Sequence, residues 1–171
     1  EPVVAEYSLW CARGGPLTPG RVSVESLPVG RGATRQHVGC AGTFRVAKDV
    51  SRALRKTGEG TSFVANSSLS LRGKKRYTGE SLYYPRVVMR TLAQVLTEAY
   101  SEHGIHVANV VLDGTIESPG TKALPKVQNR PELLIHAAKI NDAVWSLHTP
   151  DQSSRSNERQ PKPYSTPPHS F

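Results

Sequence analysis

The stretch "GIHVANVVLDGTI", Gly104 to Ile116, decides the fold of this 171-residue chain. Its centre, Ile105 to Leu112, is rich in β-branched residues and almost continuously apolar. A strand with one wet face alternates apolar and polar side chains, whereas a strand covered on both faces does not. The stretch therefore predicts a buried strand of a parallel sheet, with helices packed above and below it. Gly104 suits the end of a preceding helix, and "DGT" opens the loop that follows.

Working outward, a helix is predicted from Pro85 to His103, with Val88, Leu92, Val95, Leu96 and Ala99 on its inner face. Before it, "SFVANSS" (Ser62 to Ser68) reads as a second buried strand that ends in small polar residues. A further helix is predicted over residues 34–56, where Val38, Ala41, Phe44, Ala47, Val50 and Leu54 recur at helical spacing. The "TGEG" at Gly58 and Gly60 stops it. Downstream, a loop from Gly114 to Arg130 leads to a third helix at "PELLIHAAKINDAVWSLH", with Pro131 in its first turn. Residues 1–33 have loop composition apart from a short strand at "VVAEYSLW". The "GRG" at Gly30 to Gly32 looks like the start of a phosphate loop but lacks its third glycine. Residues 151–171, rich in Ser, Pro and Gln, read as an extended tail. Alternating strands and helices predict one α/β domain over residues 1–150, with a mostly parallel sheet.

Composition narrows the function. With 37% hydrophobic and 21% charged residues the chain is of globular type, and no apolar run approaches the roughly 18 residues of a membrane helix. Cys11 and Cys40 lack metal-binding spacing and suit free thiols in a reducing, cytoplasmic setting. His103 and His106 form an HxxH, but no acidic or cysteine cluster completes a metal site around it. The net charge of +8 is densest at "RGKKR", Arg72 to Arg76. No aromatic residue alternates within that run, so it reads as an exposed loop and nucleic acid is not an expected partner.

In three segments between His37 and Ser154 the chain resembles the short-chain dehydrogenase/reductase family. The resemblance is carried by "SLRG", "LAQ", "GIHVANVVLDGTI" and "SLH", which look like a subgroup with a divergent active site. It implies a Rossmann-like three-layer sandwich, an NADP or NAD cofactor and a small carbonyl or alcohol substrate. It also implies a tyrosine acid, a lysine one helical turn later, a serine upstream and an asparagine on the preceding helix.

Carried over residue by residue, the serine falls on Ser68, whose hydroxyl would polarise the substrate carbonyl; alternatively, Ser67 and Ser68 simply cap the strand end. The lysine falls on Arg86, which keeps the charge but replaces a compact ammonium with a planar fork. The tyrosine falls on Leu82, leaving Tyr83 as the nearest phenol. That shift of one residue rotates the phenol by about 100° on a helix. Pro85 places the helix start close to this motif. The asparagine falls near Gly39. Gly114 matches the glycine of the cofactor loop, Thr115 would touch the nicotinamide amide, and Asp113 stands where a proline is commoner. The glycine-rich pyrophosphate turn is not found in residues 1–33, so the first two βα units are expected to be missing. "YSLWCARG" would then correspond to the fourth strand, with Cys11 and Ala12 at its turn.

The expected function is thus an NAD(P)-dependent oxidoreductase of this type with a degenerate motif, inactive as this chain alone. The candidate catalytic residues are Ser68, Tyr83 and Arg86, and the candidate cofactor residues are Arg86, Gly114 and Thr115. The alternative is a non-catalytic binding or interaction module on the same fold. The resemblance also implies a homodimer, through the helices at residues 34–56 and 85–103.

Overall fold

The computed structural model describes residues 40–71 and 83–165, without the side chains of residues 69 and 83–85. The "VVAEYSLW" strand, the "GRG" turn, the "RGKKR" run, Gly39 and Leu82 lie outside the described residues.

The chain runs through helix α1 (Gly42–Thr57), strand β1 (Gly60–Ser67), helix α2 (Tyr83–Ser101) and strand β2 (Ile105–Leu112). A short 3-10 turn, Ser68–Ser70, directly follows β1. Strand β1 pairs with β2 in parallel, in register from Gly60↔Ile105 to Ser67↔Leu112. The two loops leaving β1 and β2 therefore begin side by side on the carboxyl edge of the sheet.

Both faces of this pair are covered, as the nearly continuous apolar run of β2 requires. On one face Val64, Ile105 and Val107 pack against Ala47 of α1 and Met89, Ala93 and Leu96 of α2, with Leu54, Leu92 and Tyr100 around them. On the other, Ala108 and Val110 pack against Leu147, with Phe63, Leu112 and Val144 around them. Each large side chain buried this way contributes about 1.5–3 kcal/mol. The result is a Rossmann-like three-layer α/β sandwich.

Two glycines hold the opposite edge together. Gly58 ends α1 at φ 75°, donating its N–H to the Leu54 carbonyl at 3.0 Å. Gly104 follows α2 with the same φ of 75°, and a Cβ there would lie 2.5 Å from the Gly58 carbonyl oxygen. The "TGEG" and "HGIH" turns thus pack backbone to backbone.

Beyond β2 the details differ from the sequence reading. The 114–130 loop carries β3 (Thr115–Ile116), α3 (Pro119–Lys122) and α4 (Pro125–Gln128). A capping box starts α3: Ser118 Oγ accepts from the Thr121 N–H at 3.1 Å, and Thr121 Oγ1 accepts from the Ser118 N–H at 2.8 Å. The third helix, expected from Pro131, begins only at Ala137 and runs to His148 (α5). Pro131–Leu133 instead form a 3-10 turn, and Leu134–Ile135 form strand β4, paired in parallel with β3. Apolar "LLI" suits either state, and the pairing with Thr115–Ile116 decides it.

The residues after Pro150, read as an extended tail, contribute the third strand of the sheet. Strand β5 (Glu158–Arg159) pairs in parallel with β2, through Asn109↔Glu158 and Val110↔Arg159, so the order is β1-β2-β5.

The helix faces also differ from the expected stripes. Phe44 on α1 and Val88 and Val95 on α2 were assigned inward by periodicity, yet they are 53%, 42% and 53% exposed. The inward positions are Thr43, Ala47 and Ser51 on α1, and Met89, Ala93 and Leu96 on α2. Both helices have apolar arcs wider than the sheet can cover, and small residues take the closest approach.

Candidate active site

The carboxyl edge gathers the described candidate residues. Ser68 opens the 3-10 turn directly after β1, and that turn packs on α2. Arg86, partly buried, lies in the first turns of α2, with Nη1 3.9 Å from Met89 Sδ. Tyr83 is the first residue of α2, but its phenol lies outside the described residues, as does Leu82. Gly114 and Thr115 follow β2 after Asp113, with Thr115 paired to Leu134. Parallel pairing brings the Ser68 and Gly114–Thr115 segments to one edge, and the contact of α2 with the 3-10 turn brings Arg86 beside them, where ligands bind in open α/β sheets.

Asn66, which sequence reasoning did not single out, joins two of these pieces. It is 3% exposed and reaches from the end of β1 to α2. Its Nδ2 donates to the Arg86 main-chain carbonyl at 3.0 Å, and its Oδ1 accepts the Ser67 N–H at 2.9 Å. A buried amide with both ends engaged fixes the strand end carrying Ser68 against the turn carrying Arg86. A polar residue inside "SFVANSS" was the only signal of it in the sequence.

The 155–165 segment supports the edge from the β2 side. Glu158 accepts from Arg90 Nε at 2.8 Å, from Arg90 Nη2 at 2.6 Å and from Asn109 Nδ2 at 2.7 Å. Arg159 donates to Ser146 Oγ on α5. Asp113, 3% exposed, receives Gln160 Nε2 at 2.9 Å, and its own N–H donates to the Pro161 carbonyl at 3.0 Å. Gly114 faces the same segment: a Cβ would lie 2.9 Å from Pro163 Cδ and 3.0 Å from Ile135 Cδ1. The missing side chain of Gly114 therefore accommodates the chain's own packing.

Beyond the β3–β4 ladder, Glu117 Oε2 lies 2.8 Å from His136 Nδ1 and Glu117 Oε1 pairs with Lys122. The hydrogen bond from Lys122, then that from His136, holds the Glu117 carboxyl below the usual carboxylate range. These contacts tie the loop together on its solvent side. Near α1, burial pushes the Cys40 thiol up, which disfavours the nucleophilic thiolate. His103 is exposed behind α2 while His106 is buried in β2, so the HxxH pair is split between solvent and core. Among the described residues no group of three or more His, Cys, Asp or Glu side chains could hold a metal ion. No described helix is long and apolar enough to cross a membrane.

Chemically, the edge offers the hydroxyls of Ser68 and Thr115 and the guanidinium of Arg86. That donor set suits a ligand bearing hydroxyl, carbonyl or amide groups.

No protein-family profile matches the chain, and no curated protein matches it. Solved structures do. A serine dehydrogenase in its closed form with NADP+ superposes with a TM-score of 0.71 at 13% identity, over 89% of this chain and 63% of that one. A gluconate 5-dehydrogenase from Burkholderia cenocepacia J2315, in complex with NADP and tartrate, gives 0.68 at 14% identity, over 84% and 59%. A short-chain dehydrogenase from Rhodopseudomonas palustris gives 0.63 at 18% identity, over 85% and 57%. The chain has the fold of the short-chain dehydrogenases/reductases and spans 57% to 63% of the length of these three structures.

Proposed function

We propose that the chain is a short-chain dehydrogenase/reductase-type oxidoreductase chain that binds NADP or NAD at the carboxyl edge of its sheet, with proton-transfer machinery too altered for turnover by this chain alone. The observation that carries this reading is the convergence of Ser68, the Arg86 turn and the Gly114–Thr115 loop on one edge, with the first two tied by Asn66. The NADP-bound dehydrogenases of the same fold support the choice of cofactor.

The described donor set fits the nicotinamide end of such a cofactor. Arg86 would hold the ribose, Thr115 the nicotinamide amide, and Ser68 the carbonyl or alcohol oxygen of a small substrate. When bound, the nicotinamide supplies or accepts the hydride. The protein's part is to orient the reacting carbonyl and to deliver a proton to its oxygen. Orientation is served by Ser68. Proton delivery is where the chain departs: Leu82 has no proton to give, and Tyr83 stands one residue out of phase with Arg86.

The test is restoration. Leu82→Tyr combined with Arg86→Lys is expected to create NADPH oxidation with small aldehydes or ketones, where the native chain gives none. A double variant that binds cofactor and stays inactive would overturn the assignment of the defect to these two positions.

A second reading, a non-catalytic module that pairs with its own copy through α1 and α2, is favoured by Phe44, Val46, Val88 and Val95, which are 41% to 53% exposed on those helices. It predicts a dimer by light scattering that Val95→Lys converts to monomer. A monomer at high concentration in the native chain would contradict it.

A further inference from the structure

His106 is the second residue of β2, and only 3% of its surface is exposed. Its Nε2 lies 3.0 Å from the main-chain carbonyl of Ser156, fifty residues along the chain. A carbonyl only accepts, so Nε2 carries the hydrogen and Nδ1 carries the lone pair. That Nδ1 is buried and without a hydrogen-bond partner among the described residues. Next to Ser156, Arg155 donates Nη1 to the Gly104 carbonyl at 3.2 Å, and its Nε is likewise buried and unpartnered. Among the described residues, the charged or titratable groups facing the ring are Arg155 from this segment and His148 from α5. Strand β1 contributes no charge here; its Thr61 Oγ1 lies 2.9 Å from His148 Nδ1.

We propose that His106 is a proton-sensitive latch for the 155–165 segment: the neutral ring holds the segment on β2, and the protonated ring releases it. Protonation would place an N–H at Nδ1 in a buried site with no acceptor among the described residues, beside a guanidinium. Either effect disfavours the cation. Burial is the main cause that pushes the ring below the ordinary histidine range; the Ser156 hydrogen bond opposes it, while Arg155 and His148 add to it.

With the segment released, the ring regains its ordinary affinity for protons, so the released state binds more of them. Docking is therefore strongest above the ordinary histidine value and weakens as pH falls through that value toward the lower, docked one. Release reaches the carboxyl edge, because the same segment holds Asp113 through Gln160 and Pro161 and packs Pro163 on Gly114. The latch stands whether or not that edge binds a cofactor.

Amide hydrogen exchange tests it on the full chain. The Asn109 and Asp113 N–H groups donate to the Asn157 and Pro161 carbonyls at 2.8 and 3.0 Å, so they report on docking. The amides that join β1 to β2 serve as the internal reference. After correction for intrinsic rates, protection at Asn109 and Asp113 is expected to fall about tenfold between about pH 7.5 and pH 5, with the reference unchanged. His106→Gln keeps a donor for Ser156 and cannot take the proton, so it is expected to flatten this dependence. Unchanged protection across the range overturns the latch. So does an unaltered pH dependence in His106→Gln, which would place the effect on a group other than this ring. If that variant does not fold, the ring of the native chain is titrated by NMR. A value at or above that of ordinary histidine overturns the proposal, and a lower one that tracks the loss of protection supports it.

Discussion

The side chain of Asn66 reaches from the end of β1 to the main-chain carbonyl of Arg86, 3.0 Å away, and makes the strand end and the helix start a single unit. The Ser68 turn also packs on the helix that carries Arg86. Asn66→Ala is expected to leave the Arg86 carbonyl and the Ser67 N–H without that partner, at about 1–3 kcal/mol. Urea unfolding measures the loss. Asn66→Asp is expected to cost more than Ala, because it loses the donor to the Arg86 carbonyl and sets a buried carboxylate against that carbonyl.

Glu158 joins Arg90 and Asn109 on the opposite side of β2. The Arg90 and Glu158 side chains are 27% and 28% exposed, so solvent screens part of their attraction. Glu158→Gln keeps the shape and removes the charge. It is expected to lower stability by about 1–2 kcal/mol. The stability of the native chain should also depend more steeply on salt than that of the variant. Equal salt slopes would show that the pair acts through hydrogen-bond geometry alone.

Gly58 and Gly104 share the same φ of 75°, but only at Gly104 would a Cβ meet main chain. Gly58→Ala is expected to cost about 1–2 kcal/mol, the left-handed penalty alone. Gly104→Ala must in addition push the two turns apart and is expected to cost more. Thermal unfolding of the two variants side by side checks the difference; equal losses would contradict the backbone contact.

The sandwich was legible in the sequence because β2 is apolar on both faces, a pattern with one physical cause. The outer features were less so. Periodicity located the apolar arcs of α1 and α2 but placed Phe44, Val88 and Val95 inward, since an arc does not say which part of it meets the sheet. Strand β5 was hidden because Glu158 and Arg159 are charged and lie in a Ser-, Pro- and Gln-rich stretch. Their place in the sheet comes from Arg90 and Asn109, residues far away in the chain. Ser68, Gly114 and Thr115 were named by the family resemblance, which carries the serine to the end of β1 and the other two to the loop after β2. Asn66 was not, because a tether between two turns becomes visible only when both turns are placed.

The central claim is that the carboxyl edge holds a nicotinamide cofactor. Titration of the purified chain with NADPH and with NADH, followed by nicotinamide fluorescence, tests it directly. A saturable change at or below millimolar cofactor, weakened by Arg86→Ala, is the predicted result. No change with either nucleotide at millimolar concentration would contradict it.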